Sequence, residues 1–105
     1  LVPARAGATD LYTSPMFVPA NIVVRCFLAN VGSKPLKELE SEALRLDGSF
    51  AYGNSSTQLE AGRSTYMYGS SSEDRMLRCH WSFGGSARKV RAGICVDLLG
   101  CLPAS

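Results

Sequence analysis

Four cysteines in 105 residues, with no two of them in a C-x-x-C pair, constrain this chain more than any other feature. Cys26, Cys79, Cys95 and Cys101 are an even set. An even set in a short chain reads as two disulfides in an oxidising compartment and as metal or redox centres in a reducing one. Structural zinc sites place two ligands on one tight knuckle, which this spacing does not offer. The only histidine, His80, adjoins Cys79 and points to the opposite face of any strand that holds both. Two disulfides are therefore the expectation.

A chain this long makes one domain with a core of modest depth. The hydrophobic fraction is 46% and the charged fraction 19%, which suits a folded globular protein. Net charge is +2, a balance that gives no support for a nucleic-acid or anionic-membrane partner. No apolar run approaches the ~18 residues that span a bilayer as a helix. Ala4 and Ala6 have the A-x-A spacing that precedes a signal-peptidase cut, in keeping with a secreted or periplasmic location.

Turn residues recur about every ten positions, which predicts an antiparallel sandwich or barrel of about seven short strands. Residues 1–20 are expected to form an N-terminal segment with a first edge strand, and residues 21–105 the sandwich body. Three segments alternate with period two. Ile22, Val24, Cys26 and Leu28 share one face, opposite Val23, Arg25 and Phe27. Leu77, Cys79, Trp81 and Phe83 share one face, opposite Arg78, His80 and Ser82. Val90, Ala92, Ile94 and Val96 face away from Lys89, Arg91, Gly93, Cys95 and Asp97. Arg63 to Tyr68 is a fourth strand. The short glycine-rich link from Gly84 to Arg88 predicts a hairpin between the last two of the three.

Strand parity assigns the bridges. Cys26 and Cys79 fall on inward faces and can meet across the core. Cys95 falls on an outward face and is left with Cys101, beyond the turn at Gly100. Ser33 to Leu46 is ambiguous. Leu36, Leu39, Ala43 and Leu46 have helical spacing, with Ser33 as a cap and Asp47-Gly48 as a stop. A sheet needs a strand here, and Glu40 to Leu46 is read as one.

Several strings occur together in a telling order: Cys26 to Gly32 (CFLANVG), Leu44 to Gly48 (LRLDG), Leu59 to Gly62 (LEAG), Arg78 to Phe83 (RCHWSF) and Val90 to Val96 (VRAGICV). This order, over residues 21 to 97, resembles small immunoglobulin-like sandwich domains of uncharacterised exported bacterial proteins. Ala61 departs from the pattern, where proline is usual. The resemblance implies an exported, non-catalytic module and carries over no functional residue.

No catalytic, metal-binding or cofactor-binding constellation is read from the chain. The expectation for His80 is an exposed strand histidine without a role, and for Trp81 and Phe83 core packing. Asp97, Glu73 and Asp74 are not brought together by any sequence argument. One histidine and no G-x-S-x-G elbow leave acyl transfer unsupported. Glycines 69, 84 and 85 form no phosphate loop. Asn54-Ser55-Ser56 is a glycosylation sequon, meaningful in a eukaryotic secretory pathway. Two surface features remain. If the last two strands pair, Arg78, His80, Lys89 and Arg91 form a basic stripe, read as solvated surface charge with docking of an acidic partner or polysaccharide as the alternative. Val23 and Phe27 are apolar on an outward face, and are either covered by the segment from Leu11 to Val18 or mark a partner contact. The functional expectation is a binding module for a protein or glycan. A structural accessory domain of an envelope assembly is the alternative, and a small hydrolase is a more distant one.

Overall fold

Residues 8–105 are described by the computed structural model, and the Ala4–Ala6 motif lies outside them. Nine strands occur among the described residues: β1 (Thr9–Tyr12), β2 (Met16–Val18), β3 (Val24–Asn30), β4 (Leu36–Arg45), β5 (Phe50–Leu59), β6 (Ser64–Gly69), β7 (Arg75–Gly84), β8 (Val90–Val96) and β9 (Gly100–Pro103). They exceed the expected seven because β1, β2 and β9 are only three or four residues long. Segments that short carry too little alternation to be recognised.

The strands form two antiparallel sheets packed as a sandwich. One sheet runs β1-β7-β4-β5, with β2 also on β7; the other runs β6-β3-β8-β9. The period-two faces account for the packing. Val24, Cys26 and Leu28 of β3 and Leu77, Cys79, Trp81 and Phe83 of β7 are all buried in one core cluster. Burial of each large side chain contributes roughly 1.5–3 kcal/mol over leaving it in water. The Cys26–Cys79 disulfide joins the two sheets through that core, with Cα atoms 5.8 Å apart. Cys95 and Cys101 are register partners on β8 and β9 and form the second disulfide. Both bridges match the parity argument.

The expected hairpin between β7 and β8 does not form. β8 pairs with β3 and β9, whereas β7 lies in the other sheet. Gly85, at φ +145°, and a 3-10 turn over Ala87–Lys89 carry the chain from one sheet to the other. A link of this length serves a sheet crossing as well as a hairpin, so its glycines did not distinguish them.

Within the Ser33–Leu46 segment the chain is a strand from Leu36 to Arg45, and a bulge explains its helical look. The register against β7 shifts between Lys37 and Glu40, and Glu38 sits there at φ +52°. The extra residue restores the inward direction after three positions rather than two. Leu36 and Leu39 are therefore both buried, as they would be on a helix.

The two seams of the sandwich differ. On one side Thr13 bridges to Ala104, and Tyr12 and Ser105 exchange two backbone hydrogen bonds of 3.1 and 3.0 Å. On the other, a groove runs between Tyr52–Asn54 of β5 and the stretch from Tyr66 to Ser70.

Candidate functional site

His80 is not exposed. Only 2% of the residue is accessible, because two carboxylates from neighbouring strands close over it on the outer face of the five-stranded sheet. Register places Tyr12 and Glu42 on either side of His80. The Nδ1 atom lies 2.7 Å from Oε2 of Glu42, and Nε2 lies 2.8 Å from Oδ1 of Asp10. The Tyr12 ring stacks on the imidazole at 4.2 Å, and the Arg78 guanidinium sits 5.4 Å from the Tyr12 centroid. Both ring nitrogens are engaged by carboxylates. The carboxylates stand at opposite ends of the ring, and among the described residues no metal-binding group of His, Cys, Asp and Glu occurs. The cluster clamps β1 to the sheet, assisted by the Thr13 hydroxyl, which accepts from the Cys79 amide at 2.9 Å.

The expected basic stripe is divided between sheets. Arg78 and His80 belong to β7; Arg91 belongs to β8, and Lys89 to the turn before it. With no pairing of β7 and β8, these four side chains do not share a face. The segment from Leu11 to Val18 is taken up against β7 and leaves Val23 and Phe27 half-buried. Phe27 and Arg91 do meet at a hollow of about 640 Å³, lined also by Leu11, Val90, Leu102 and Pro103.

The outer face of the four-stranded sheet carries what the sequence reading missed. Register defines two rows across it. One is Tyr68, Arg25, Cys95 and Cys101; the next is Tyr66, Phe27, Gly93 and Pro103. Phe27 fills the space over Gly93, where a Cβ would come within 2.9 Å of its ring. Arg25 pairs with Asp97. Tyr66 and Tyr68 are 59% and 66% exposed, with ring centroids 6.0 Å apart. Both border the groove beside β5. Their shared parity, opposite buried Met67, was the available signal.

Inside that groove Tyr52 presents a buried hydroxyl towards Arg75. Burial pushes its pKa above the usual phenol value, and the nearby Arg75 charge opposes this without cancelling it. On the exposed β4–β5 turn, the hydroxyl and amide of Ser49 hold the Asp47 carboxyl below the ordinary range.

Comparison with family models, curated proteins and solved structures yields no match to this chain.

Proposed function

We propose that this chain is an exported, non-catalytic binding module that engages a protein or glycan through the outer face of its four-stranded sheet. The observation that carries this reading is the pair Tyr66 and Tyr68, side by side and well exposed on one face. Tyrosine offers a large amphipathic surface with little side-chain entropy to lose on binding, and such rings concentrate at recognition surfaces. Two disulfides suit a secreted or periplasmic location. The engagement of both His80 nitrogens argues against a hydrolytic role. An immunoglobulin-like kinship is part of the proposal. The disulfide between sheets supports it, whereas pairing of the late strand β8 with the Cys26 strand departs from the usual order.

The test is capture of glycan and protein panels by the oxidised chain, compared with a Tyr66→Ala/Tyr68→Ala variant. Loss of roughly tenfold or more in affinity, as for interface hot spots, supports the reading. A ligand that binds both forms equally overturns it.

A structural accessory role is the second reading, and β5 favours it. This ten-residue edge strand, FAYGNSSTQL, contains no charge and no proline, the usual protections of a free edge. Self-association abolished by Asn54→Lys supports edge pairing; a monomer at high concentration overturns it.

A further inference from the structure

The connections at the two ends of the sandwich differ in charge. At the end where β3 finishes and β4 begins, residues 31–35, 60–63 and 85–89 carry Lys34, Arg63, Arg88 and Lys89 against one acid, Glu60. At the other end, residues 19–23, 46–49, 70–74 and 97–99 carry Asp47, Glu73, Asp74 and Asp97 and no base. Arg25, Arg45 and Arg75 on the adjoining strand ends offset the acidic group, so the basic end is the stronger feature.

The backbones of three of those residues are tied around one point. Asn30 is buried, and its Nδ2 donates to the Lys34 carbonyl at 2.9 Å. Its backbone N–H donates to the Arg63 carbonyl at 2.9 Å, and the Val31 N–H donates to the Lys89 carbonyl at 2.8 Å. The Asn30 side chain also accepts from Gly32 N–H and donates to Leu59. Three separate loops thus present a base from a backbone tied to Asn30 and Val31. The Lys89 stem packs over Gly32, where a Cβ would meet it at 3.0 Å. All four basic residues are exposed, and among the described residues none has a side-chain ion pair. Between Lys34 and Lys89 opens a cleft of about 390 Å³, bounded by Ser33, Pro35, Leu36 and Ser86.

We propose that this cleft seats a negatively charged sugar unit of an acidic polysaccharide. The two ammonium groups flank a carboxylate or sulfate, the serine hydroxyls meet ring hydroxyls, and Pro35 offers an apolar wall beside the buried Leu36. The cleft is of a size for one such unit and is too small for a folded partner, and Arg63 and Arg88 extend the positive field along a polymer. This inference names a ligand class for the binding-module reading and rests on that reading, but it uses a different surface from the tyrosine pair.

Affinity of the oxidised chain is measured at low and physiological salt for heparin, polygalacturonate, neutral dextran and polyglutamate. The expected result is binding of a charged polysaccharide that weakens with salt, with none to dextran. Lys34→Gln and Lys89→Gln should each weaken it by up to about fivefold, as for exposed ion pairs. Unchanged affinity in the double variant, equal capture of polyglutamate, or failure of both charged polysaccharides at low salt overturns the proposal. Tyr66→Ala/Tyr68→Ala is measured alongside. If only the tyrosine variant loses binding, the tyrosine face carries the module and the cleft falls; if only the lysine variants do, the cleft carries it and the tyrosine face falls.

Discussion

The Nδ1 atom of His80 lies 2.7 Å from Oε2 of Glu42, and both side chains, one from β7 and one from β4, are almost fully buried. Removing one partner from a buried pair strands the other in low dielectric, at a cost of roughly 3–5 kcal/mol. Replacing both with apolar residues avoids that penalty within the pair and leaves only the part-exposed Asp10 carboxylate without His80. We therefore expect His80→Leu to be strongly destabilised and His80→Leu/Glu42→Leu to recover most of the loss in urea unfolding. A double variant as unstable as the sum of its singles would show that the pair does not act as a unit.

The two disulfides should differ in weight. Their partners are 53 and 6 residues apart. Chain entropy assigns about 4 kcal/mol to the longer loop and about 2 kcal/mol to the shorter. Cys26→Ala/Cys79→Ala is expected to lower the urea midpoint far more than Cys95→Ala/Cys101→Ala. Equal midpoints for the two variants would refute this ordering.

Tyr52 gives the fold an alkaline limit. Its pKa is raised in the folded state, chiefly by burial, above the unfolded value of about 10. The resulting stability is complete below that unfolded value and declines as pH rises past it. Tyr52→Phe removes this dependence. It should lose less stability than the parent across pH 7, 9 and 11. Denaturant midpoints at the three pH values check it; parallel decline would count against the idea.

Leu98 occupies the β8–β9 turn at φ +72° with 93% of its surface exposed. The left-handed region costs a branched side chain roughly 1–2 kcal/mol, and this one has little packing to repay it. Leu98→Asn should raise stability by about 0.5–1 kcal/mol. A fall in melting temperature would mean the exposed leucine contributes more than its contacts suggest.

What could be read from the residues alone followed from parity, which is local. It placed Cys26 and Cys79 inward and Cys95 outward, and the disulfides came with it. Parity does not report which sheet a strand joins, so the link from Gly84 to Arg88 reads equally as a hairpin or a crossing, and it is a crossing. It also put His80 on the correct face without revealing its burial. That depends on Asp10 and Glu42, residues 70 and 38 positions away. The bulge at Glu38 defeated the period count in a different way, by inserting one residue that mimics a helical step. The cations around Asn30 come from three loops, so no sequence window contains them.

The bridge between Cys26 and Cys79 also sets how far the chain can be drawn out under tension. Residues 27 to 78 lie inside the covalent loop and carry no load while it is intact. At ~3.4 Å per extended residue, the 53 intervals hide about 180 Å of contour length. Pulled from its two ends, the oxidised chain lengthens only through what lies outside its two covalent loops, and reduction of Cys26–Cys79 releases the larger hidden length in one step.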